Sequence, residues 1–138
     1  MLIAVALAWV KGGHPERRGA VILLTVFGLS LIVHPWRLWN VHLGDAALDG
    51  AITLIFGWMA VTGNRWWPLA MTAVMALTLL IHFAAFAAPS MSHSADISAR
   101  IGLGILTALA LLAGVGERWL AGEPAVSSGA RWRRSKAT

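Results

Sequence analysis

Apolar residues run through this chain in long blocks, separated by short polar or proline-marked breaks. A helix that crosses a bilayer needs roughly 17–25 predominantly apolar residues. Four blocks meet that length and predict helices over residues 19–35, 45–62, 68–88 and 97–116. Pro68 stands where a helix can begin, because its missing N–H is not needed there. Pro35 and Pro89 stand where helices should stop. The connections 36–44, 63–67 and 90–96 are short, which leaves successive helices as antiparallel neighbours. The pattern predicts an all-α fold, an integral-membrane up-down four-helix bundle within residues 1–120.

The opening segment 1–11 is apolar but covers only about half the hydrocarbon thickness at ~1.5 Å per residue. It is read as a short hydrophobic helix packed against the bundle. An interfacial helix and a curtailed fifth span are the alternatives. No positive stretch precedes it and no small-residue cleavage site follows, which argues against a signal peptide. Residues 121–138 are small, polar and basic without apolar periodicity, and are expected to form a disordered cytoplasmic tail.

Composition sharpens the class. Of 138 residues, 58% are hydrophobic and 12% charged, too little polar surface for a soluble domain of this length. Cysteine is absent, which excludes disulfides, thiolate metal sites and iron–sulfur clusters. The net charge of +5 is a matter of placement. Lys11, Arg17, Arg18, Arg65, Arg118, Arg131, Arg133, Arg134 and Lys136 fall on one side of the expected topology, and only Arg37 and Arg100 on the other. Basic residues beside apolar spans mark the cytoplasmic face. The expected location is therefore a bacterial inner membrane with a cytoplasmic C-terminus, and the expected partner is lipid, not nucleic acid. Trp36 and Trp39 at the outer boundary, and Trp66, Trp67 and Trp119 at the inner one, read as aromatic belts.

Each predicted span holds an ionisable residue in its outer half, His34, Asp49, His82 and Arg100, and Asp45 lies one turn nearer the outer surface than Asp49. Such groups are costly in a bilayer and should face protein or water. On a helical wheel Asp49 shares a face with Ala46, Thr53 and Gly57, opposite Trp58. His82 shares one with Thr78, Met75 and Met71, Arg100 with Gly104, Thr107 and Gly114, and His34 with Ser30. The expected site is thus an intramembrane polar cluster of Asp49, His82, Arg100, Asp45 and His34. Its plain reading is a buried clamp of Asp49, His82 and Arg100, with Asp45 nearer the interface and in reach of water. On that reading Asp49→Ala should destabilise more than Asp45→Ala. Ala46/Gly50, Thr53/Gly57, Ser98/Gly102, Gly104/Ala108 and Ala110/Gly114 are small-residue pairs that allow close helix contacts. They make the faces of spans 45–62 and 97–116 candidates for a membrane-protein partner or a homodimer.

His34, His42, His82 and His93 gather on the outer side with Asp45, Asp49 and Asp96, so they are the candidate metal ligands. His34 and His82 are the candidate axial pair for haem. No compact metal motif is present and no cofactor is predicted. No nucleophile elbow or paired catalytic carboxylates occur, so no catalytic residue is assigned. The leading expectation is a non-enzymatic accessory or scaffolding membrane component. The alternative is a small proton-linked carrier, or a metal- or haem-handling protein, using the outer His/Asp/Arg cluster.

The loop Gly12-Gly13-His14-Pro15-Glu16-Arg17 and the turn Asn64-Arg65-Trp66-Trp67-Pro68-Leu69, with Asp49 and His82, resemble small uncharacterised four-span bacterial inner-membrane proteins. The resemblance covers residues 8–88. It implies membrane class and topology, and transfers no catalytic residue.

Overall fold

The computed structural model describes residues 1–35, 37–38, 41–87 and 93–123. The fold is all-helical, with α1 Leu2–Lys11, α2 His14–Val33, α3 Leu43–Thr62, α4 Trp67–Ala87 and α5 His93–Leu120. Between α2 and α3 the chain makes a minimal antiparallel ladder of β1 Arg37–Leu38 and β2 Val41–His42, pairing Arg37 with His42 and Leu38 with Val41. Trp36 and Trp39 lie outside the described residues, as does the tail beyond Glu123 with its expected disorder.

Three helices are long and apolar enough to cross a membrane: Leu43–Thr62, Trp67–Ala87 and Ile97–Leu120. α2 differs from the expected span 19–35. It starts earlier and takes Pro15, Glu16, Arg17 and Arg18 into its first turns, and ends at Val33, so the predominantly apolar part from Gly19 on is short for a span. Proline suits that first turn, where a backbone N–H has no intrahelical partner. Gly13 N–H is instead satisfied by Glu16 Oε2 at 2.6 Å, which fixes the start of the helix.

α4 is the axis of the assembly, packing on α3 on one side and α5 on the other. Its buried residues Trp67, Met71, Met75 and His82 recur at steps of four, four and seven residues, as one face of a helix requires. Trp67, Met71 and Met75 meet Ile52 and Phe56 of α3, Leu23 of α2 and Leu111 of α5 in a single core. α1 lies against α5 and α2, burying Ala4, Val5 and Ala8, and Arg17 sits 5.5 Å above the ring of Trp9. The outward surface is unusually apolar: Leu54, Val61, Leu80, Phe83, Ile101 and Ile105 are all exposed. An apolar exterior around an interior that holds the polar groups is the arrangement a bilayer demands.

Trp67 corrects the belt assignment made for it. It is fully buried, edge-on to Phe56 at 5.9 Å between ring centroids. Two glycines make room for it. A Cβ at Gly19 or at Gly114 would come within 2.7 Å of the indole. Trp66 and Trp119 remain exposed. Of the small residues expected to bring helices together, Gly114 does so and Gly57 lies in ordinary contact with Thr72, whereas Gly50, Gly102 and Gly104 meet nothing.

Candidate functional site

The end of the bundle where α2 gives way to α3 collects the ionisable side chains named from the sequence, in two adjoining groups. The first spans α3, α4 and α5. His82, buried on α4, donates from Nε2 to Asp49 Oδ2 of α3 at 3.0 Å. Arg100 of α5 places Nη2 3.4 Å from His82 Nδ1, a long contact in which only the guanidinium can donate. That direction fixes the tautomer: Nδ1 accepts, so Nε2 carries the proton that reaches Asp49. Thr53 Oγ1 donates to the Asp49 carbonyl at 2.6 Å, using the hydroxyl one turn along the same face. Asp49, His82 and Arg100 therefore form one connected row.

The second group is centred on Asp45. Ser30 Oγ donates to Asp45 Oδ1 at 2.6 Å, and His34 Nδ1 donates to Asp45 Oδ2 at 2.8 Å. His42 Nδ1 lies 3.9 Å from the same Oδ2 and 3.0 Å from the carbonyl of His34. The rings of His34 and His42 stack with centroids 4.1 Å apart. Here the structure reverses an expectation. The Asp45 side chain is 10% exposed and that of Asp49 is 21% exposed. Position along the chain puts Asp45 nearer water, one turn closer to the helix end than Asp49. In the fold, the last turn of α2 lies across it and supplies both hydrogen-bond donors.

Two cavities adjoin these groups. A small one of about 130 Å³ touches Ser30, Asp45, Asp49 and Arg100, so it lies between the two groups. A larger one of about 600 Å³ has Ser30, Asp49, Thr78 and Arg100 among its lining residues. Leu23, Val26, Phe27, Ile52 and Met75 form its apolar body, and Leu103, Gly104, Ile105, Thr107 and Ala108 of α5 form a wall. It occupies the gap between α2 and α5, with α3 and α4 as its floor.

Of the four histidines named as metal ligands, His34 and His42 converge with Asp45, with one ligand atom from each lying within 4.8 Å of the others. His82 belongs to the other group with both ring nitrogens engaged, so a haem iron would have to displace Asp49 or Arg100 to reach it. The side chains of His93 and Asp96 lie outside the described residues.

Sequence reasoning missed a second polar cluster at the opposite end. Glu16 is fully buried there, although two arginines follow it in sequence. Arg65, in the α3–α4 turn, lies 3.8 Å from Glu117 and pairs with Glu123, while Arg118 lies 3.5 Å from Glu123. The available signal was the Gly-Gly-His-Pro-Glu run: a glutamate three residues after a glycine can accept from that glycine's N–H and start a helix. No family model, curated protein or solved structure matches this chain.

Proposed function

We propose that this is a small non-enzymatic accessory component of the bacterial inner membrane that holds one amphiphilic molecule between α2 and α5. The observation that carries the reading is the 600 Å³ cavity with polar residues among an otherwise apolar lining. Its volume is that of a small-molecule site, and such sites combine apolar walls with a few placed polar groups. The ligand's apolar body would lie along Leu23, Phe27, Ile52 and Met75. Its polar group would reach Asp49 and Arg100, which supply an acceptor and a donor. The distribution of Lys and Arg supports an arginine-rich end and tail in the cytoplasm, with the histidine-rich end outward.

Gly104 offers the test, since it lines the cavity and an added Cβ there meets nothing within 4 Å. Native mass spectrometry of the intact chain released from its own membrane should show a single stoichiometric amphiphile. Gly104→Trp, which fills the space, should remove it while circular dichroism stays helical. A bare chain, or a ladder of bulk phospholipids unchanged by Gly104→Trp, would contradict the proposal.

Docking of a membrane partner or a second copy through the small-residue faces is a second reading. Gly50 and Gly102 favour it, since they leave room for a close helix approach.

A further inference from the structure

We infer that His34, His42 and Asp45 form a binding site for a divalent transition cation at the outer mouth of the bundle, separate from the proposed amphiphile cavity. The three donors come from the end of α2, the residue before α3 and the first turn of α3. Two imidazoles and one carboxylate, with no thiolate in the chain, are the donor set for zinc, copper or nickel, whereas magnesium and calcium take oxygen ligands. Tetrahedral ligands about 2.1 Å from zinc lie roughly 3.4 Å from one another. The distances from Asp45 Oδ2 to His34 Nδ1 and His42 Nδ1, 2.8 and 3.9 Å, bracket that spacing. To admit the ion both imidazoles would carry their proton on Nε2 instead of Nδ1. His34 would give up its hydrogen bond to Asp45 and His42 its hydrogen bond to the His34 carbonyl, freeing both Nδ1 lone pairs for the metal.

The surroundings are already those of a ligand set. Ser30 holds the other oxygen of Asp45, leaving Oδ2 turned to the histidines. The stacked rings keep both imidazoles beside the carboxylate. The side chains of Asp45 and His42 are largely covered while that of His34 is 59% exposed, so the ion has a route from water. Three protein ligands leave a fourth position for water. The neighbouring Asp49 and His82 also pair an imidazole with a carboxylate, but Arg100 against His82 places a fixed positive charge there. A cation is thus directed to Asp45.

The probe is zinc chloride, titrated calorimetrically into the untagged full-length chain in detergent, with cobalt(II) absorption reporting coordination. One equivalent should bind. His42→Ala and the exposed-site variant His34→Gln should each weaken binding at least about tenfold with helicity unchanged. His14→Ala, at the opposite end of α2, should bind as the parent does. Absence of saturable binding would overturn the site. So would binding that survives both His34→Gln and His42→Ala, or that depends on His14. The amphiphile is read separately by mass, so loss of the metal site leaves that measurement standing.

Discussion

Trp67→Ala is expected to lower the unfolding free energy of the bundle by about 3 kcal/mol or more, the lower range for removing a buried tryptophan. The indole sits between Gly19 and Gly114, edge-on to Phe56, at the point where α2, α3, α4 and α5 all reach one side chain. In a bilayer much of this cost is lost dispersion contact, because lipid is as apolar as the side chain removed. The residue before it makes the control. Trp66 is exposed, and Trp66→Ala should leave stability nearly unchanged. Unfolding in mixed micelles followed by circular dichroism checks both, since eight tryptophans confuse fluorescence. Equal effects for the two variants would refute the keystone role of Trp67.

Asp45→Ala is expected to cost about 3 kcal/mol, from two hydrogen bonds to a charged acceptor at roughly 1.5 kcal/mol each. Asp49→Ala removes the single bond from His82 and should cost about 1.5–3 kcal/mol, leaving a buried imidazole N–H without its acceptor. Asp45→Ala should therefore destabilise at least as much as Asp49→Ala. Ser30→Ala should reproduce part of the Asp45 effect, because it deletes one of the two donors. A clearly larger loss for Asp49→Ala, in the same micelle assay, would restore the ranking by depth along the helix.

These two cases show where sequence reading stops. The helices were legible because apolar blocks and prolines bound them, and α3 and α4 start and end within two residues of expectation. The inward faces were legible too: Met71, Met75 and His82 are buried on one stripe of α4, and Trp58, expected opposite Asp49 on α3, is exposed. Depth and direction at helix ends were not. A tryptophan beside an expected interface is indistinguishable in sequence from a belt residue, and only Gly19 and Gly114, distant along the chain, turn Trp67 into core. Asp45 was misplaced for the same kind of reason, since its cover comes from Ser30 and His34 on the preceding helix. Glu16 escaped because a charged run reads as a boundary, whereas this helix starts inside it.

The two ends of the bundle are expected on opposite sides of a membrane, with the histidine-rich end outward. A chain without cysteine allows a direct measurement through single substitutions at exposed positions. Ser94→Cys reports the histidine-rich end and Asn64→Cys the arginine-rich turn. In intact cells whose outer membrane has been made permeable, a membrane-impermeant maleimide should label Ser94→Cys at once. It should reach Asn64→Cys only after the inner membrane is opened. Labelling of both in intact cells, or of Asn64→Cys alone, would contradict the account.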